Sequence, residues 1–217
     1  MAVKSYALTI ASRLSAYMDI TTPTGTKLTV MEAIIDAVTE FIEDYLGYRV
    51  QKTAYTNEEY DTEEGQVLNL KNFPVVSGET FTLQRRTSAL DEDSWETVDS
   101  EYYHVEEKSG IIYGAGGWEF SRTRRGYRVT YTAGYDFDIT GTYLSSTEGG
   151  SIELAAWMLC EGIWSKRKGG SGIKSERIGD YSITYTKLLM ENEDIKSLLD
   201  KHASADDSFA VLTPLQA

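Results

Sequence analysis

Residues 28–47 read LTVMEAIIDAVTEFIEDYLG, and the spacing of their apolar side chains governs the reading of everything around them. Met31, Ile34, Ile35, Val38, Phe41, Ile42 and Tyr45 recur three and four apart. They therefore share one side of a helix, with Glu32, Asp36, Glu40, Glu43 and Asp44 on the other. The spacing predicts an amphipathic helix, capped at its start by Thr29 and closed by Gly47. A weaker form of the same period runs upstream through Ala7, Ile10, Leu14 and Tyr17 in VKSYALTIASRLSAYM. The turn-rich TTPTGTK separates the two, so residues 1–48 read as an N-terminal helical hairpin.

Past Gly47 the period changes from three-and-four to two. VQKTAYT, QVLNL, ETFTLQR, EYYHV, GIIY and YRVTYTAGY are short runs rich in Val, Thr, Tyr and Phe, which predicts a β-rich module over residues 49–135. The last run places Tyr127, Val129 and Tyr131 on one face and Arg128, Thr130 and Thr132 on the other. So many short, closely spaced strands make an antiparallel sheet. The acidic stretches NEEYDTEE and LDEDSWETVDSE read as loops at its edges, and GAGGW at 114–118 as a tight turn.

Residues 136–203 return to helix. SIELAAWMLCEGIWSKRK is apolar almost all round, with a narrow polar stripe at Glu153 and Glu161, so it needs cover on most sides. Part of that cover is the N-terminal hairpin. Trp157, Met158, Ile163 and Trp164 are candidates for packing against a neighbouring subunit, with burial wholly inside the chain as the alternative. ENEDIKSLLDKHA is a last helix, its acids at the start and Lys201 and His202 at the end complementing the helix dipole. Residues 204–217 form a tail in which Phe209, Val211, Leu212 and Leu215 are apolar anchors. The predicted fold class is α+β: a small helical bundle with an inserted antiparallel β-rich module and a C-terminal extension.

Between the last two helices lies SKRKGGSGIKSERIGDYSITY, residues 165–185. A phosphate loop needs a Gly-Lys pair between a strand and the helix that follows it; this run has no such pair and follows a helix. Ordering about 20 residues costs roughly 20 to 40 kcal/mol of backbone entropy, whereas burying four apolar side chains returns about 1.5 to 3 kcal/mol each. The segment therefore reads as an assembly arm. Its glycines supply a hinge, Lys166, Arg167, Lys168, Lys174 and Arg177 meet acidic surfaces, and Ile178, Tyr181, Ile183 and Tyr185 dock once a partner is present. An ordinary hairpin packed on its own chain is the alternative.

The remaining chemistry is sparse. With 34 acidic and 21 basic residues the chain carries a formal charge of −13, which argues against binding nucleic acid by neutralising phosphates, although solubility alone also explains it. The single Cys160 sits in an apolar run and requires no oxidising compartment, so a cytoplasmic origin is expected. No stretch reaches the roughly 18 apolar residues of a membrane span, and the N-terminus lacks a signal-peptide pattern. His104 and His202 have no second ligand at metal spacing. No catalytic residue, metal or cofactor is assigned, and the chain is not expected to be an enzyme.

The order of motifs carries a resemblance. EFIEDYLGYRV, LKNFPVVSGETFTLQR, YYHVEEKSGIIY, VTYTAGYD, an apolar helix and SERIGDYSITY follow one another over roughly residues 28–185 as in the head-tail connector, or adaptor, proteins of long-tailed bacteriophages. The long link DFDITGTYLSSTEGG and the extended tail depart from that pattern. The resemblance implies a structural protein of the virion neck, assembled in the host bacterial cytoplasm. It would form a ring with itself, twelvefold if it follows the portal's symmetry. The ring would sit under the portal protein, extend the DNA channel and offer a platform to a stopper or tail-completion protein. DNA would pass without sequence-specific binding. The alternatives are that the chain is itself a stopper or tail-completion protein, or, from another class, a hydrolase acting at the acidic loops.

Overall fold

The computed structural model describes residues 5–62, 65, 67–88, 94–137, 149–169 and 192–203, with side chains to residue 166 in the third helix. Two compact units divide the chain: Tyr48–Asp136 form one, and the residues before and after them form the other. Helices make the second unit and antiparallel strands the first, an α+β fold.

In the helical unit α1 spans Ala11–Tyr17, α2 Thr26–Leu46, α3 Gly150–Gly169 and α4 Glu193–Asp200. Helix α2 buries Met31, Ile34, Ile35, Val38 and Ile42, the apolar stripe of the sequence. It ends where Gly47 takes a left-handed conformation at φ 79° and donates its N–H to the Glu43 carbonyl, which satisfies a terminal acceptor. The start differs from expectation. The helix begins at Thr26 after Gly25, with no side-chain cap, and Thr29 lies one turn inside with its own N–H bonded to the Gly25 carbonyl.

Helix α1 is also shorter than its period suggests. Ala7, Leu8 and Thr9 are buried but not helical. Side chains from other helices hold them: Leu8 N–H donates to Thr39 Oγ1 at 3.2 Å, and Thr9 Oγ1 accepts from Trp157 Nε1 at 2.8 Å. The first of these satisfies a backbone N–H outside any helix, and the second pairs two buried side chains. Leu8, Leu14, Ile35, Ile42, Ile152, Leu159 and Leu199 complete a core drawn from every helix of the unit and from the segment ahead of α1.

The β unit has strands β1 Thr53–Thr62, β2 Val67–Asn69, β3 Thr82–Arg86, β4 Trp95–Thr97, β5 Tyr103–Glu106, β6 Ile111–Gly114 and β7 Thr123–Ala133. They form a four-stranded sheet ordered β1-β7-β3-β4 and a three-stranded sheet ordered β2-β6-β5, all antiparallel. Tyr127, Val129 and Tyr131 of β7 are buried as their alternation requires, and join Leu68, Leu83, Ile112 and Phe120 in one core lined by both sheets. GAGGW is the turn after β6, where Trp118 N–H donates to the Ala115 carbonyl.

Two stretches read as loops contain paired strand. Asn57 to Thr62 of NEEYDTEE belong to β1, with Glu58 opposite Val129, Glu59 opposite Arg128 and Tyr60 opposite Tyr127. A bulge with Asn57 at φ 54° shifts the register there, so the charges mask the alternation. In LDEDSWETVDSE, Trp95 to Thr97 form β4, a short edge strand on β3. Pairing satisfies the backbone of these polar runs whatever their side-chain charge.

Candidate assembly site

Helix α3 was expected to show a polar stripe at Glu153 and Glu161. Only Glu161 is exposed. Glu153 accepts a hydrogen bond from Arg13 Nη2 at 2.7 Å, with the two side chains 1% and 2% exposed, so this part of the stripe is a seam against α1. The Arg13 guanidinium also lies 5.8 Å from the centroid of the Trp157 ring, and the Tyr17 ring centroid stands 5.1 Å from it. Burial raises the Tyr17 phenol above its ordinary pKa, and the charge of Glu161 and a hydrogen bond to it add to the shift.

This packing redistributes the residues expected to meet a neighbouring subunit. Trp157 and Ile163 are buried within the chain's own described residues, while Met158 and Trp164 are half-buried. The apolar circumference of α3 is covered mostly from within: Arg13 of α1 and Thr9 of the segment ahead of it bring a paired cation and a hydroxyl to the indole. Helix α4 and the turn after it are tied to the other helices by two polar bonds: the Tyr45 hydroxyl to Asp200 Oδ1 at 2.6 Å, and Ser151 Oγ with His202 Nε2 at 2.6 Å.

Of the arm, Lys166 is exposed near the end of α3, whose backbone continues through Arg167 and Lys168 to Gly169. The first residues of the expected hinge are therefore helix, in keeping with the high helix propensity of Lys and Arg. Lys174, Arg177, Ile178, Tyr181, Ile183 and Tyr185 lie outside the described residues, as do the tail positions Phe209, Val211, Leu212 and Leu215.

The sequence reading missed two features of the β unit. On the inner side, Glu58 Oε2 accepts from the Tyr60 hydroxyl at 2.5 Å and the Tyr131 hydroxyl at 2.7 Å, and Lys71 Nζ sits 4.8 Å from the Tyr60 ring centroid. Burial, first of all, pushes both phenols well above the usual tyrosine range. On the outer side of the three-stranded sheet, Val67, Tyr113 and His104 are cross-strand neighbours in one row, and all are exposed. Alternation within IIYG and YHVE marked this row as solvent-facing; its apolar character was the available signal.

Nothing in this arrangement gathers catalytic groups. Among the described residues no group of three or more His, Cys, Asp or Glu stands together as metal ligands. Cys160 is wholly buried, which raises its thiol pKa and keeps it protonated. Among the described residues no helix is long and apolar enough to cross a membrane.

Comparison with known proteins agrees with a structural role. A chain in the neck of an empty GTA particle, computed with C6 symmetry, superposes with a TM-score of 0.52 at 15% identity, over 94% of this chain and 93% of that one. A chain from the virion of a native gene transfer agent (GTA) particle gives the same 0.52, 15%, 94% and 93%. These likenesses establish the fold. No curated protein matches the sequence. Residues 7–202, nearly the whole chain and including both the helical unit and the inserted β unit, match the head completion proteins. The chain therefore belongs to the head completion protein family, a family of the phage head–tail neck.

Proposed function

We propose that the protein is the adaptor of a tailed-phage neck: a structural subunit that forms a ring beneath the portal, continues the DNA channel, and presents a platform to a stopper or tail-completion protein. The observation that carries this reading is the end-to-end likeness, over 94% of the chain, to a neck subunit in a particle computed with C6 symmetry. The reading is supported by the family and by the two-unit build, a helical body with an inserted β unit. Twelve copies, matching the portal, are the proposed ring.

The charge suits this work. A formal −13 per subunit repels DNA phosphates over a Debye length of about 8 Å at physiological salt, so acids facing the lumen keep the duplex sliding and not gripped. The protein would be found in the virion neck after assembly in the bacterial cytoplasm. Electron microscopy of the purified protein, alone and mixed with its portal, tests the proposal. A ring seated on the portal is expected; a chain that stays monomeric in the presence of the correct portal overturns it.

A further inference from the structure

We propose that the outer face of the β2-β6-β5 sheet is the seat for the arm, residues 178–185, of a neighbouring copy of this chain; the proposal rests on the ring reading above. Cross-strand register puts Val67 and Asn69 of β2, Ile111 and Tyr113 of β6, and His104 and Glu106 of β5 on that face, with Leu68, Ile112 and Val105 on the core side. Val67 is 47% exposed and Tyr113 37%. Tyr102, joined across to Ala115 through its carbonyl two residues before His104, is 44% exposed. Four large hydrophobic side chains are exposed among the described residues, and these are three of them. Clustered apolar exposure of this kind marks a surface that another chain covers.

Charge selects the occupant. Asp99, Glu101, Glu106 and Glu107 are all exposed around the row, against Lys108 and His104. The acids engage the apolar side chains directly: the Tyr113 hydroxyl donates to Glu106 Oε2 at 3.1 Å, and a hydrogen bond to Glu101 holds the Tyr102 phenol above its ordinary pKa. Two apolar segments of the chain lie outside the described residues. The tail carries Asp206 and Asp207 with no cation, and this rim repels it. Beyond α3 the arm balances Lys174 and Arg177 against Glu176 and Asp180, so it carries no net charge and the rim does not repel it.

Shape and reach agree. In an extended segment Tyr181, Ile183 and Tyr185 fall on one side, which suits an apolar row on a sheet face. The chain from Gly169 to Tyr185 extends to about 50 Å, enough to leave one subunit and lie on the next. A ring needs two different patches on each subunit, one given and one received, and the arm and the sheet face are such a pair.

Cross-linking on the full chain tests this. Val67→Cys is made in one preparation and Ile183→Cys in another; the native Cys160 is buried and does not compete. The two are mixed with portal, treated with a short bifunctional maleimide and run on a denaturing gel, while a parallel sample is imaged for rings. A covalent dimer from the mixture, absent from either preparation alone, is expected. Rings without that dimer overturn the docking proposal and leave the adaptor reading standing. A dimer formed instead with Leu212→Cys makes the tail the occupant and overturns it too. A bridge within one chain, in a monomeric Val67→Cys, Ile183→Cys double variant, assigns the seat to the chain's own arm. No ring at all, with correct portal, overturns the adaptor reading and this one with it. In a second experiment, Val67→Thr with Tyr113→Thr, which removes the apolar row without opposing like charges, raises the concentration for half-assembly at least about tenfold. The melting temperature stays unchanged, because both side chains are exposed in the subunit. An unchanged assembly concentration in that variant overturns the proposal.

Discussion

Arg13 and Glu153 form a buried ion pair in the helical unit. Both are out of solvent, so each charge leans on the other. Arg13→Ala alone is expected to cost about 3 to 5 kcal/mol, measured by urea unfolding, because it takes the paired cation away from a buried carboxylate. Arg13→Met combined with Glu153→Leu should recover most of that loss; a double variant as unstable as the single one would show that the pair itself is not the source. The buried tyrosines give a pH dependence. Tyr48, Tyr60 and Tyr131 all have phenol pKa values raised above 10.0, with burial the leading cause in each. The unfolded chain loses these protons near that ordinary value and the native one keeps them. Their contribution to stability is therefore whole below it and falls as pH rises further. Alkaline titration followed by phenolate absorbance should show them ionising only together with unfolding. Tyr102 and Tyr113, on the surface, should ionise while the fold persists.

At the scale of elements, two glycines hold boundaries. Gly47 ends α2 in a left-handed conformation, and Gly47→Ala should cost about 1 kcal/mol in urea unfolding. Gly114 closes β6 where a Cβ would stand 2.2 Å from the Trp118 carbonyl oxygen, so Gly114→Ala must push the turn aside. Its expected cost is larger, about 2 kcal/mol or more, with faster amide exchange at Ile112 as the local sign. The α2 boundary was legible because Gly47 follows an unbroken apolar period. The first half of β1 was legible and the second was not, since Glu58, Glu59 and Asp61 look solvated until Val129, Arg128 and Tyr127 are seen opposite their stretch.

The whole molecule divides the work between its two units, a helical body and a β unit, with the arm as the proposed link between copies. Tyr181→Ser with Ile183→Ser should leave the melting temperature of the isolated subunit nearly unaltered and impair ring formation on the portal. Unfolding of the subunit by that double variant would mean that the segment packs on its own chain. Trypsin should cut at Lys174 or Arg177 more readily in the isolated protein than in the assembled neck, since cleavage follows the population of open backbone. Equal cleavage in both would argue against the arm's burial on assembly.

What the sequence determined by itself is what nearest neighbours along the chain encode: the amphipathic α2, its end at Gly47, the switch to a period of two, the alternation of β7, and the order of motifs that resembles the phage neck proteins. Each of these is a local periodicity or a local backbone preference, and needs no distant partner to be read. The tertiary structure alone decided the fate of the charges. Glu153 became a buried ion and not a polar stripe because Arg13, 140 positions away, reaches it. Glu58 turned inward because two tyrosine hydroxyls wait there, and Trp157 was covered from within because Thr9 and Tyr17 close over it. A charged or amphipathic side chain takes its role from whatever desolvates or pairs with it, and that partner is a property of the folded arrangement and not of the neighbouring letters.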